Sequence, residues 1–258
     1  MNEKMSQVIY GPVPSWRLGR SLGVDMVSQE EKTCSFDCAY CQLGRTLHHT
    51  AERREFVPIS RLVAELEALP KLDLDYVTFS GTAEPTLAAN LGEAILAVKD
   101  RLSPPVAVLT NSSLMSDPEV RRALGHADQV VAKLDAPTEE LLRRVNRPVS
   151  GITLEKILAA LHSFRREYKG HLALQIMFYQ ANRDQAEALA ALARELDPYE
   201  IEVNTPLRPC AVKPLSPEAL AEIKKAFSGL PAASVYEASR PTVQPLDMTE
   251  TLQRRPVL

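Results

Sequence analysis

Apolar positions along this chain switch between two periods. Short runs that alternate or stay apolar, bounded by Gly, Pro, Asn or Asp, occur at 22–27, 76–79, 106–109, 129–134, 172–178 and 200–203 and read as β-strands. Between them the spacing widens to the three-and-four rhythm of a helix, near 57–69, 88–101, 117–124, 137–145 with 153–167, 183–196 and 216–227. Ser60 caps the first of these helices on this reading, and Ser216-Pro217-Glu218 opens the last with an N-cap and a proline in the first turn. Six strand-then-helix units in succession require right-handed crossovers and a parallel sheet. Six are too few to close a full eight-stranded barrel. The expected fold is therefore α/β, a partial (β/α)6 TIM-like barrel over 22–228. Gly11, Pro12 and Pro14 make 1–21 an N-terminal loop segment, and 229–258, which lacks a helical period, a C-terminal extension packed across the barrel. The whole of 1–258 then reads as one domain.

In such barrels the loops after the C-terminal ends of the strands carry the site. Polar residues stand at these places. Gly81-Thr82-Ala83-Glu84-Pro85 follows the second strand, Asn111-Ser112 the third, and Lys133 with Asp135 the fourth. Gln175 and Met177 share one face of the fifth, and Arg208 and Cys210 lie in a Pro-stiffened loop after the sixth. Each has a plainer reading. Gly81 and Pro85 suit a turn leading into a helix, Asn111 and Ser112 suit helix caps, and Met177 suits core packing. Lys133 and Asp135, two apart on a strand, are expected to point the same way and pair with each other. Arg17 and Arg20 either face an anionic ligand or form surface ion pairs, and the basic run Arg143 to Arg147 either holds a phosphate or carboxylate or is a solvated helix end.

Composition narrows the class. A hydrophobic content of 45% supports a buried core, and a formal net charge of -3 with interspersed signs leaves a nucleic-acid partner open without requiring one. No apolar run approaches membrane-spanning length, so no membrane association is expected and a cytoplasmic location is. Three of the four cysteines, Cys34, Cys38 and Cys41, fall within eight residues. This clustering argues against a disulfide framework. Three thiolates on one short loop can hold three irons of a 4Fe-4S cluster and leave the fourth iron open. A zinc site built from the three cysteines and His48 or His49 is the alternative, although zinc modules usually pair their cysteines in two knuckles. An electron-carrying ferredoxin would want a fourth cysteine nearby, and Cys210 is far along the chain.

The run Cys34-x-x-x-Cys38-x-x-Cys41, with Tyr40 before the last cysteine, resembles the signature of the radical S-adenosylmethionine (SAM) superfamily. Tyr10 to Ser15, Arg17 to Val24, Lys32 to Cys38, Tyr40 to Thr46 and Asn204-Thr205-Pro206 resemble a small prokaryotic Fe-S oxidoreductase branch of it, distantly related to the radical SAM half of wybutosine-tRNA synthases. The resemblance implies a partial barrel, a 4Fe-4S cluster on the three motif cysteines, and SAM at the open iron. It also implies a reductant such as flavodoxin or ferredoxin. Gly81 to Pro85 is similar to the family's G-G-E-P motif, which binds the SAM amino group, but lacks the second Gly and has one extra residue. Glu84 matches best, Gly81 and Thr82 less closely. Asn111, Ser112 and Lys133 are expected near SAM. Cys210, Lys133 and Asp135 are the candidates for substrate chemistry. The substrate is unnamed on this reading: a small molecule, a peptide or a modified nucleoside. A non-catalytic iron-sulfur or zinc-binding interaction protein is the rival from another class.

Overall fold

A computed structural model describes residues 7–256. Its elements, in chain order, begin with β1 (Ile9–Ser15), β2 (Gly19–Val24), the two-residue strands β3 (Thr33–Cys34) and β4 (His48–His49), and α1 (Ile59–Glu67). The repeating part follows as β5 (Tyr76–Phe79), α2 (Leu91–Arg101), β6 (Val106–Thr110), α3 (Pro118–Leu124) and β7 (Gln129–Lys133). It continues with α4 (Glu139–Val145), α5 (Leu154–Glu167), β8 (His171–Met177), α6 (Ala186–Leu196), β9 (Glu200–Asn204) and α7 (Pro217–Lys225). β10 (Ala232–Ser234) and α8 (Met248–Arg254) close the chain.

Among the described residues one sheet of eight strands runs in the order β1-β2-β5-β6-β7-β8-β9-β10, and the six expected strands form its middle as a parallel array. The sheet curls into the expected partial barrel. Its core is the apolar strand faces, such as Val77, Val108, Val130, Leu174 and Val203, packed under Leu91, Ile95, Leu161 and Leu189 of the helices. Parallel strands covered in this way read as near-continuous apolar runs, which is why the sequence located them.

Four expectations require correction. The segment expected as a loop contains β1, which pairs antiparallel with β2. It is an edge strand with a register shift between Tyr10 and Val13, and edges and bulges are where a sheet accommodates prolines such as Pro12 and Pro14. The first expected strand lies three residues earlier, at Gly19–Val24. Helix α1 starts at Ile59 behind Pro58, with no side-chain cap from Ser60. Finally, the C-terminal extension adds β10 to the sheet edge and folds α8 against β1. Seven residues are too few to display a helical period. A readable signal was Asp247, whose carboxylate accepts from the amide of Glu250 in a D-x-x-E cap. The Ser216 cap stands as expected, accepting from the Ala219 amide with Pro217 in the first turn.

No helix among the described residues is long and apolar enough to cross a membrane.

Candidate active site

The C-terminal ends of the parallel strands open into a cavity of about 300 Å³. Cys34, Cys38 and Cys41 all line it. The loop that carries them has little regular structure of its own and is held from outside. The amides of Asp37 and Ala39 donate to the carbonyls of Asn146 and Val145 at 3.0 and 2.9 Å, and the Val149 amide donates to Ser35 O at 2.9 Å. Lys32 Nζ closes its far end on Gly44 O at 2.9 Å.

Tyr40 pins the centre of the loop. Its hydroxyl donates to Asp135 and accepts from Asn146 Nδ2 at 3.1 Å. Its ring packs edge-on to Tyr179, with centroids 6.0 Å apart, and lies under Lys133 Nζ. Burial, then the Asp135 charge, raises the Tyr40 hydroxyl well above its usual value, so it remains a donor. Asp135 is therefore an anchor. Its other oxygen accepts from the Met177 amide at 2.8 Å, and it does not line the main cavity. The expected Lys133–Asp135 pair does not form: Lys133 Nζ turns to Gln175 Oε1 at 2.8 Å. Strand β7 ends at Lys133, so the same-face rule no longer holds two residues on.

The thiols suit a group that brings positive charge. Burial, then the Glu84 charge, pushes the Cys34 thiol up to about 12, and burial pushes Cys38 up to about 11. Side-chain amides already face the sulfurs, Asn111 Nδ2 on Cys34 and Asn146 Nδ2 on Cys38, each at 3.5 Å. Such donors stabilise thiolate sulfur bound to iron. The zinc alternative finds its fourth ligand engaged elsewhere. His49 Nε2 is 3.1 Å from Ser35 O, His48 pairs with Glu31 at 2.8 Å, and neither histidine lines the cavity.

Glu84, 3% exposed, lines the same cavity beside the start of the cysteine loop, its amide donating to Thr33 O at 3.3 Å. Its Oε1 accepts from Thr86 N, Thr86 Oγ1 and Thr110 Oγ1, and its Oε2 accepts from the Asn111 amide at 2.7 Å. Burial raises this carboxyl against the pull of its donors. With a single partner, Oε2 keeps acceptor capacity. Glu84→Gln has a definite expected result. Whichever way the amide turns, its NH2 meets a backbone N–H, of Thr86 or of Asn111. A donor facing a donor in a buried site costs about 1–3 kcal/mol, read as a lower urea midpoint. An unchanged midpoint would mean that these amides find other acceptors. Asn111 lines the cavity and also donates to Ser35 Oγ at 2.9 Å. Ser112 does not line it: fully buried at φ +70°, it donates to Lys133 O.

Gly81 and Thr82 are shaped by Asp25, just past the end of β2, whose role no motif in the sequence marks. Asp25 Oδ2 accepts from the Thr82 amide and hydroxyl at 2.9 Å each, and from buried Arg254 Nε at 3.1 Å. A Cβ on Gly81 would stand 2.1 Å from the Asp25 carboxyl carbon, so only glycine admits this contact. Two further residues escaped sequence reasoning. Asn146 ties Cys38, Tyr40 and Asp135 together. Glu202, also fully buried, accepts from Arg17 Nη1 at 2.8 Å and from Gln175 Nε2 at 3.1 Å. Lys133, Gln175 and Glu202 are register neighbours on β7, β8 and β9 and form one inward row. A carboxylate two residues before a strand end, as in Ile201-Glu202-Val203, was the available signal. Arg20 by contrast pairs at the surface with Asp73 and Asp75.

Cys210 does not line the cavity. It packs with Val212 and Met177 on the small cluster of Tyr40, Val145 and Tyr179, and its Sγ donates to Val212 O at 3.2 Å. A proline-rich loop can turn its side chains either way, and here Leu207 and Arg208 face inward instead.

The barrel and its cysteine loop define a class, and comparison with known proteins agrees. Residues 32–193 match the radical SAM superfamily. The SAM-bound crystal structure of Streptococcus suis SuiB has the same fold, with a TM-score of 0.61 at 16% identity over 80% of this chain and 48% of that one. A radical SAM methyltransferase from Sphaerobacter thermophilus gives 0.62 at 19% identity, over 83% of this chain and 65% of that one. The chain thus spans about half of SuiB and somewhat less than two thirds of the methyltransferase. This chain belongs to the radical SAM superfamily, and membership implies a 4Fe-4S cluster and SAM. Within the superfamily it belongs to the UPF0026 proteins. It is 41% identical over 211 residues to the UPF0026 protein slr1464 of Synechocystis sp., covering 81% of this chain and 78% of that protein. It is 38% identical over 225 residues to the UPF0026 protein MJ1312 of Methanocaldococcus jannaschii, covering 84% and 69%.

Proposed function

We propose that Cys34, Cys38 and Cys41 hold a 4Fe-4S cluster, that SAM binds between it and the Gly81 to Glu84 loop, and that the protein abstracts hydrogen from a substrate in the same cavity. The observation that carries this reading is that the three thiols, Glu84 and Asn111 line one cavity at the C-terminal end of the barrel. When bound, the cluster and SAM supply an electron and a 5'-deoxyadenosyl radical. The chain's own residues prepare for that chemistry. Asn111 and Asn146 direct amide donors at the sulfurs, Tyr40 fixes the loop between Cys38 and Cys41, and Glu84 Oε2 has acceptor capacity for the SAM ammonium. Thr82 and Gly81 border that position under the hold of Asp25. Lys133, on the row with Gln175 and Glu202, faces the cavity as the candidate to orient a substrate. A reductant such as flavodoxin or ferredoxin supplies the electron in this scheme. The resemblance to the radical SAM half of wybutosine-tRNA synthases keeps a modified nucleoside among the substrate classes.

The test is anaerobic reconstitution. Four irons and four sulfides per chain, with 5'-deoxyadenosine released from SAM on reduction, are expected. A colourless protein that retains one zinc and leaves SAM intact would favour a binding protein instead. On the same preparation Glu84→Gln should weaken SAM binding by roughly tenfold, because a charge-assisted hydrogen bond to the ammonium is lost.

A further inference from the structure

The charges around the cavity are lopsided. Among the described residues its lining carries six cations, Arg17, Lys32, Lys133, Arg208, Arg240 and Arg255, and one carboxylate, Glu84. The chain as a whole has a net charge of -3, so this positive wall is a local arrangement. Some of it is answered within the protein. Arg17 pairs with Glu202, Lys133 donates to Gln175, and Lys32 closes the cysteine loop. Among the described residues Arg208, Arg240 and Arg255 form no ion pair. They come from three separate segments: the loop after β9, the loop after β10 and the end of α8. Arg208 donates to Gln42 Oε1 at 2.9 Å, and Arg255 donates to Ser80 Oγ at 3.0 Å while its buried Nε has no acceptor.

Bringing like charges together next to low-dielectric walls opposes folding unless something answers them. The cost is visible at Arg208, whose guanidinium is pushed down to about 9 by burial first and then by Arg255, Arg240 and Arg17. SAM does not supply the missing charge, since its carboxylate is offset by its own ammonium and sulfonium. A phosphate ester fits better. It carries about -1.5 to -2 at neutral pH and offers three acceptor oxygens, and the guanidinium fork matches it two bonds at a time. Gln42, the residue after Cys41, touches Arg208, so an anion held there lies beside the cysteine loop.

Building on the proposed radical SAM function, we infer that the substrate is a small molecule bearing a phosphate group, received by Arg208, Arg240 and Arg255. Partial burial of Arg208 and Arg255 in the cavity wall favours a small body over a polyanion. The probe is inorganic phosphate, titrated calorimetrically at millimolar concentration into the reconstituted protein and into Arg208→Gln, Arg255→Gln and Arg240→Gln. Arg240 is exposed, so its variant keeps the test valid if the others fold poorly. Phosphate should bind the parent chain and lose roughly tenfold or more in each variant, with SAM affinity falling much less. Four results would overturn the inference: no phosphate binding, equal binding in all variants, a parallel loss of SAM affinity that assigns the arginines to the SAM carboxylate, or tight arginine-dependent binding of a short RNA. Failure of the radical SAM reading shows separately, as absence of iron and of SAM cleavage in the parent chain.

Discussion

Cys34→Ala, Cys38→Ala and Cys41→Ala should each reduce 5'-deoxyadenosine formation to background and lose most of the bound iron. The expectation follows from how the loop is built. In the proposed ligand set each thiolate serves a different iron and the fourth corner is left for SAM, so the set has no spare protein ligand. Cys210 does not replace a lost thiolate, because it packs behind Tyr40 and outside the cavity lining. His48 and His49 are engaged with Glu31 and Ser35. The loop should still dock in these variants, since Tyr40, Asn146 and the backbone bonds to Val145 and Val149 stay in place. Loss of the cluster should therefore come without loss of the fold, and far-ultraviolet dichroism beside iron and sulfide analysis separates the two. A full cluster in any of the three variants would refute the ligand assignment. Cys210→Ala is the matched control and should keep its iron.

The largest effect on stability is expected at Arg254, which no reading of strand ends would single out. Its side chain is 0% exposed and binds Asp25 at 3.1 Å, Glu250 at 2.9 Å, Gln7 O at 2.5 Å and Ser28 Oγ at 3.1 Å, with the Tyr10 ring beneath. Arg254→Ala removes the guanidinium that two buried carboxylates bind. Breaking a buried ion pair from one side costs about 3–5 kcal/mol, to be measured by urea denaturation. Part of that loss should reach the Gly81 to Glu84 loop proposed to bind SAM, because the Asp25 oxygen that meets Arg254 also holds Thr82. SAM affinity should fall in Arg254→Ala even at temperatures where the variant is folded. Asp25→Ala with Arg254→Ala should lose less than the sum of the single changes, since the pair is coupled. A shift below about 1 kcal/mol for Arg254→Ala, the size of an exposed pair, would show that this contact is not a structural link.

How far the site was legible depends on what held each residue. Cys34, Cys38 and Cys41 could be read because their spacing along the chain is itself the chemical constraint. The polar residues at strand ends could be read because a βα barrel gathers those ends on one face, and Glu84, Asn111, Lys133, Gln175 and Arg208 do line the cavity. Ser112, Asp135 and Cys210 carried the same signal of type and position and do not. Residue type names what a side chain could do, whereas its direction depends on where the strand ends and which way the loop turns. Lys133 ends β7, and one step beyond it the alternation that would have paired it with Asp135 is gone.

The sequence by itself determined the six parallel strands, their helices, the barrel class and the cysteine loop, because hydrophobic period and motif spacing are local properties of the chain. Tertiary structure alone decided the rest. An N-terminal segment rich in Pro becomes an edge strand because it has one partner. Arg254 comes from 229 residues away to meet Asp25, and Asn146 comes from 108 residues away to meet Cys38. Arg208, Arg240 and Arg255 become an unanswered positive wall only when β9, β10 and α8 bring them to one cavity. Contacts over such separations leave no period and no motif, since they are set by the closure of the sheet and by the need of each buried charge for a partner.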